Sequence, residues 1–287
     1  MDFIMNTVKH AVIPVAGFGT RMLPLSKSVP KELLPLGNKP AIQYVIEEAI
    51  EAGIEHIVLV THGQKQAIEN YLDINFELNT QLEAKGKTEL LSKVNWLPNN
   101  VKVSAVRQGK ALGLGHAVLS AAHVVGDNPF VVLLPDVIID PFITDYSRDN
   151  LVEMIANFES SKRSQIMVEA VADEDVHKYG IAEPLEYDSS SGQHNSFAVK
   201  GFVEKPDLAD APSNLAIVGR YVFDAAIFSY LEKTVPSVGG EVQLTDAIDA
   251  LISKYGVDVY QMKGQSHDAG DMTTYIKAFT YFSEQQA

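Results

Sequence analysis

Cysteine is absent from the sequence. That excludes disulfides and thiolate metal sites, and it fits a reducing cytoplasm. Basic residues are scarce. The 23 Lys and Arg face 37 Asp and Glu, a formal net charge of -14. A surface this acidic repels nucleic-acid backbones and anionic membranes, so neither is expected as a partner. Long hydrophobic runs are missing too. The longest, "PFVVLLPDVIID", carries a proline and an aspartate and is far too short to span a bilayer. The start, "MDFIMNTVKH", lacks a basic segment followed by an apolar one, so no secretory signal is expected. There is no internal repeat, no low-complexity segment and no G-x-S-x-G nucleophile motif. The histidines show no metal-type spacing on one helix face, so most are read as structural or surface residues.

What remains is an ordinary globular composition. The chain has 287 residues, of which 46% are apolar, enough for a substantial core. Strand-like runs alternate with helical patterns through the first half. "KHAVIPV" is short, continuous and β-branched, as a strand buried on both faces should be. In "KPAIQYVIEEAIEAG", Ile42, Val45, Ile46, Ala49 and Ile50 share one helical face. Pro40 stands near the first turn and Gly53 suits the end. "IEHIVLVTH", "QKQAIENYLD", "VKVSAVRQ", "GLGHAVLSAAHVV" and "PFVVLLPDVII" continue as strand, helix, strand, helix and strand.

That order predicts an α/β fold: a Rossmann-like, mostly parallel (mixed) central sheet with helices on both faces. Residues 75–100 form a polar helical insertion. Beyond Ser164 strands are more frequent, with "DSSSGQHNS" as a hairpin-like loop. No linker separates the halves. Residues 1–287 are therefore expected to form one domain, a continuous α/β unit in which 146–287 adds an acceptor-binding lobe to 1–145. A homodimer or homotetramer is expected, with the insertion and the C-terminal helices available for subunit contacts.

In such sheets ligands bind beyond the carboxyl ends of the strands. Three segments leave strands there. The first, "AGFGTRMLPLSKSVPKELLPL", has Gly17 and Gly19 but Met22 where the dinucleotide fingerprint needs glycine, and no Gly-Lys-Ser/Thr of a P-loop. It offers Ala16 and Gly17 backbone, then Thr20 and Arg21, with Lys31 within reach if the loop folds back. A plain strand-to-helix turn would carry similar glycines. Arg21 and Lys31 on so acidic a chain point instead to phosphate.

The other two segments are less specific. Gln108 ends the third strand and can read a base edge with its amide. Gly113 and Gly115 would let a planar ring approach the backbone. Asp136 closes the fourth strand as a natural Mg²⁺ ligand, and Asp268 in "SHDAGD" is a second candidate that also suits a plain turn. Glu204 and Lys205 stand together where Pro206 ends regular pairing and can re-aim them.

The set "VIPVAGFGTRMLP", "SVPKELLPL", "VRQGKALGLGHAV", "LLPDV", "FVEKP", "SNLAIVGRYV", "EVQLTDAI" and "KGQSHDAGD" resembles the sugar-1-phosphate nucleotidyltransferases. Within that family it is most similar to the bacterial uridylyltransferases that join UTP and glucose 1-phosphate. The resemblance runs through essentially the whole chain, and it implies the family's nucleotide-diphospho-sugar transferase fold. It implies that Ala16, Gly17, Gly19, Thr20, Gln108 and Gly113 hold the nucleotide, with Glu32 also near it. It implies that Arg21 and Lys31 hold the triphosphate and that Asp136 and Asp268 bind Mg²⁺. Gly180, Glu204 and Val218 would line the glucose site, and Lys205 would meet the sugar phosphate.

The implied reaction is transfer of the uridylyl group of UTP to glucose 1-phosphate in the cytoplasm. The alternatives are a sister enzyme using dTTP or another nucleotide or sugar, a nicotinamide-dependent dehydrogenase, and a non-catalytic nucleotide-binding protein. The missing third glycine counts against the dehydrogenase.

Overall fold

The computed structural model describes residues 8–185, 196–237 and 239–287. The loop expected over 188–196 therefore lies outside the described residues, apart from Ser196. The first half contains β1 (His10–Pro14), β2 (Pro35–Leu36), β3 (Lys39–Pro40), α1 (Ala41–Glu51), β4 (His56–Thr61) and α2 (Gln66–Leu72). It continues with α3 (Phe76–Ala84), α4 (Thr88–Val94), β5 (Lys102–Arg107), α5 (Gly113–Ser120), α6 (Ala122–Val125), β6 (Phe130–Leu133) and β7 (Val137–Ile139). The second half adds α7 (Leu151–Ser161), β8 (Ser164–Ala170), β9 (Gly180–Pro184), β10 (Ser196–Glu204) and β11 (Leu215–Phe223). It ends with α8 (Ile227–Leu231), α9 (Leu244–Tyr255), β12 (Val257–Gln261), β13 (Ser266–Asp268) and α10 (Met272–Gln285).

One nine-stranded sheet, in the order β5-β4-β1-β6-β11-β8-β12-β10-β9, runs through both halves. The β5-β4-β1-β6 block is parallel throughout, because each connection passes through a helix. β11 then runs antiparallel to both β6 and β8. β12 is parallel to β8, and β10 is antiparallel to β12 and β9. The expected mixed sheet is present, with its Rossmann-like parallel part confined to the first half.

Alternate residues of the strands feed two cores. Val12, Val58, Val132 and Phe130 pack with α5, α8 and α9 on one face. Ala11, Ile13, Leu59 and Leu133 pack with α1 and α7 on the other. Double burial is why β1, β4 and β6 read as continuous apolar runs rather than alternating ones. A small third core holds α10 through Phe282, which meets Tyr44 edge-on at 5.0 Å, together with Leu36 and Ile138. The polar insertion forms α3 and α4, as its pattern implied. Among the described residues no helix is long and apolar enough to cross a membrane.

Two expected elements are divided. "GLGHAVLSAAHVV" breaks at Ala121 into α5 and α6. "PFVVLLPDVII" is not one strand. It splits into β6 in the main sheet and β7, which pairs antiparallel with β13. Pro135 has no N–H for a ladder, and the Leu134 N–H donates sideways to the Gly219 carbonyl at 2.9 Å. The interruption carries Asp136.

At the opposite edge of the sheet, His10 and His56 are cross-strand partners, with ring centroids 5.2 Å apart. Burial and then the neighbouring His56 lower the His10 pKa, while burial and then Lys102 lower that of His56. Their folded values lie below the unfolded value near 6.5. The stability they contribute is therefore complete above that value and is lost as pH falls below it. The urea midpoint is expected to fall between about pH 7.5 and about pH 5, and less steeply in His10→Gln. Identical pH dependence in the two proteins would contradict this assignment.

Candidate functional site

The carboxyl ends of β1, β4, β5 and β6 open on one side of the sheet, and two cavities lie there. The larger encloses about 560 Å³. Its walls include Ala16, Gly17, Gly19, Thr20, Arg21, Lys31, Glu32, Gln108 and Gly113. The second encloses about 290 Å³, with Gly180, Glu204, Lys205, Val218 and Asp268 among its walls. Arg21, Leu114, Leu134 and Asp136 belong to both. Apart from Gly115, the candidate site residues of the sequence thus stand around two adjoining spaces that share a cationic and an anionic side chain.

The glycine loop folds back on itself. The Ser26 hydroxyl donates to the Gly19 carbonyl at 2.8 Å. The Lys31 stem passes where a Gly19 Cβ would lie 3.6 Å from its Cδ. Lys31 Nζ then meets Asp136 Oδ2 at 2.5 Å. Glu32 is directed elsewhere: it is 1% exposed, and its Oε2 accepts from Lys65 Nζ at 2.7 Å. This buried pair ties the turn before α1 to the β4–α2 connection and so fixes the neighbouring Lys31. Lys65 was missed in the sequence, although it leaves the end of β4 at the same edge as the residues that were chosen.

Gln108 is buried, and its Nε2 donates to the Gly113 carbonyl at 3.2 Å and lies 3.0 Å from His116 Nδ1. The glycine pair that follows also admits another segment of the chain. A Cβ on Gly113 would sit 2.9 Å from the Val242 carbonyl oxygen, and one on Gly115 would sit 2.7 Å from the same atom. The Gly115 N–H donates to that carbonyl at 2.9 Å. The glycines therefore admit the Val242 backbone against α5, and of the two only Gly113 lines the larger cavity.

Asp136 and Asp268 are brought together by the β7–β13 pairing, with Ala269 N–H donating to the Asp136 carbonyl at 2.7 Å. A Cβ on Gly270 would lie 2.8 Å from Arg21 Nη2, 2.8 Å from Asp268 Oδ1 and 3.1 Å from Asp136 Oδ2. The three charged groups thus surround one bare glycine. Burial pushes the Asp136 carboxyl up, but Lys31, with Arg21 behind it, outweighs this and holds it below its usual value. Asp268 goes the other way. Burial raises it, the Gly270 N–H opposes, and the charge of Asp136 raises it further. The second aspartate of the same motif, Asp271, caps α10 by accepting from Thr273 and Thr274 N–H at 2.8 and 3.0 Å. One stretch is both turn and site.

Glu204 and Lys205 both face the smaller cavity. Lys205 itself makes the change of direction, with a left-handed φ of 48° at the end of β10. Its N–H donates to the Tyr179 carbonyl at 2.9 Å, and its Nζ lies 3.3 Å from Glu204 Oε1. Tyr179, Tyr221 and Glu169 also line this cavity and were not singled out in the sequence. They come from β8, the turn before β9, and β11, and no local spacing joins them.

Comparison with known proteins gives concordant results. The nucleotidyl transferase family model matches residues 10–285. The chain is 54% identical to the UTP–glucose-1-phosphate uridylyltransferase of Escherichia coli (strain K12), over 98% of this chain and 92% of that one. It is similar to the structure of UTP-bound UGPase from Acinetobacter baumannii, with a TM-score of 0.88, 48% identity and coverage of 97% and 94%. It is also similar to a UDP-glucose pyrophosphorylase complexed with UDP-glucose, with a TM-score of 0.83, 35% identity and coverage of 97% and 99%.

Gly270 has no left-handed φ, so alanine is compatible with its backbone. Its methyl group would push apart the ends of Arg21, Asp136 and Asp268. Gly270→Ala is expected to melt within a few degrees of the parent yet bind Mn²⁺ about tenfold more weakly by calorimetry in the presence of UTP. Unchanged affinity would show that the three charges do not act as one site.

Proposed function

This chain belongs to the nucleotidyl transferase family, and we propose that it transfers the uridylyl group of UTP to α-D-glucose 1-phosphate, releasing UDP-glucose and pyrophosphate. One observation carries the reading: two cavities, one suited to a nucleotide and one to a sugar phosphate, meet at Arg21 and Asp136. A relative with UTP bound and another complexed with UDP-glucose support uracil and glucose over the dTTP alternative. Residues 1–145 mainly serve the nucleotide and 146–287 mainly the sugar phosphate. The setting is cytoplasmic, in keeping with a chain that has no cysteine, and the assembly is a homodimer or homotetramer.

In this reading the base lies against the backbone of Ala16 and Gly17. With the Gln108 amide N–H groups turned to Gly113 and His116, its carbonyl oxygen is left to accept from the uracil N3–H. Gly19, Thr20 and Arg21 bring backbone and guanidinium donors to the triphosphate. Glu32 contributes by holding Lys65 and the Lys31 turn in place. On the other side, Glu204 accepts from sugar hydroxyls, while Gly180 and Val218 form close walls. A Cβ on Gly180 would lie 3.2 Å from Glu204 Oε2, so the bare glycine keeps that carboxylate accessible.

The donor set suits a hard divalent cation. Asp136 and Asp268 crowd their negative charges at the junction of the cavities, and Mg²⁺ favours one or two carboxylates completed by phosphate oxygens. Mg²⁺ bound by these two residues would neutralise phosphate charge at the junction. In the protein alone Lys31 balances Asp136. With nucleotide present, Lys31 turns to the triphosphate.

An oxygen of glucose 1-phosphate attacks the α-phosphorus of UTP in line. The new P–O bond forms as the bond to the β-phosphate oxygen breaks, and that oxygen leaves with its electron pair as pyrophosphate. A phosphate monoester with a second pKa near 6 is already mostly ionised at neutral pH, so no general base is required. Lys205 and Arg21 hold the attacking phosphate against the repulsion of the triphosphate, and Lys31 steadies the leaving side.

The test is pyrophosphate release with UTP, glucose 1-phosphate and Mg²⁺, with dTTP in parallel. No release with UTP, or equal efficiency with dTTP, would refute the reading. Lys205→Ala is expected to raise the KM for glucose 1-phosphate about tenfold or more and to leave that for UTP nearly unchanged. Asp136→Ala is expected to lower kcat by roughly 10²–10³-fold at saturating Mg²⁺. Wild-type turnover in the latter would sink the metal assignment.

A further inference from the structure

Behind the junction of the two cavities lies Arg220, the largest of the fully buried side chains among the described residues, at 0% exposed. It stands on β11, next to Gly219, whose φ of 79° marks the point where the strand register shifts. Its guanidinium is saturated. Nε donates to both carboxylate oxygens of Glu48 on α1 at 3.1 Å, and Nη2 donates to Glu48 Oε2 at 2.8 Å. Nη1 donates to the Leu134 carbonyl at 3.2 Å and weakly to that of Gly219 at 3.4 Å. Nη2 also donates to the Val137 carbonyl at 2.7 Å. Leu134 and Val137 bracket Pro135 and Asp136, so the two arms of one planar group grip the chain on either side of the candidate metal-binding carboxylate.

Nothing in the hydrophobic packing calls for a charge here. A buried ion pair is poor evidence for stability in itself, since apolar residues of similar volume often serve as well. A guanidinium does what an apolar group cannot. Its rigid fork fixes the separation and direction of two carbonyls, and thereby the direction of the side chain between them. We infer that Arg220, oriented by Glu48, is a positioning residue that aims the Asp136 carboxylate at the junction of the nucleotide and sugar-phosphate cavities. The same strand places Val218 in the wall of the smaller cavity, so the clamp keeps the sugar wall and the Asp136 turn in one register. The inference rests on the reading of Asp136 as a metal ligand.

The experiment measures Mn²⁺ binding to the UTP-loaded full chain, together with metal-free UTP binding and thermal melting. It compares the parent, Asp136→Asn, Arg220→Lys and Glu48→Gln. Asp136→Asn tests the underlying reading by itself, because unchanged Mn²⁺ affinity in that variant refutes the metal assignment whatever Arg220 does. Arg220→Lys keeps the charge and loses the fork. It is expected to weaken Mn²⁺ binding about tenfold or more while metal-free UTP binding stays at the parent value. Glu48→Gln leaves both carbonyl contacts possible and is expected to show a smaller loss of the same kind. If Arg220→Lys does not fold, Glu48→Gln carries the test. A folded variant with parental Mn²⁺ affinity overturns the inference, and so does equal loss of Mn²⁺ and metal-free UTP binding. Failure of both variants to fold overturns it as well, because the pair would then serve the fold and not the site.

Discussion

The contact between Arg220 and Glu48 is the constraint on which the centre of the molecule depends. It joins α1 to β11 through the sheet and reaches the chain on both sides of Asp136. Burying a guanidinium and a carboxylate is costly unless the remaining donors are satisfied, and here every arm has an acceptor. Around it the Leu134 carbonyl accepts from Arg220 just past the end of β6, β11 shifts register about Gly219, and β7 pairs with β13 in the small sheet.

That small sheet has a functional consequence. It carries Asp268 from near the C-terminus to the side of Asp136, where Arg21 from the first loop also arrives. An acidic chain with few cations places four of them, Arg21, Lys31, Lys178 and Lys205, around the adjoining cavities. The field is therefore arranged locally against the overall charge. Asp136 is held ionised by Lys31, while Asp268 is pushed toward its neutral form by burial and by Asp136.

Much of this was legible in the sequence because its causes are local. The apolar runs of β1 and β4, the amphipathic stripe of α1 and the glycine turn each follow from backbone geometry and periodicity. The rule that ligands gather at the carboxyl ends of parallel strands then placed Ala16, Gln108 and Asp136 on one edge. The signal was weaker where causes are distant. Gly113 and Gly115 announced a close approach but did not show that the Val242 backbone makes one. Glu32 lines the larger cavity, but nothing local announced that Lys65 holds its carboxylate. The divided strand around Pro135 read as continuous because its residues are apolar on both sides of the break.

By itself the sequence determined the alternation of strands and helices, the charge balance, the chemistry available at each loop and the family to which the chain belongs. These are properties of residue type and spacing along one dimension. Tertiary structure alone decided that Asp136 and Asp268 share one glycine-floored space, that Lys205 turns to the cavity through its own left-handed backbone, and that Arg220 lies behind the site rather than in it. Each of these depends on groups far apart in the chain, and only the packing of the sheet against its helices sets the distances between them.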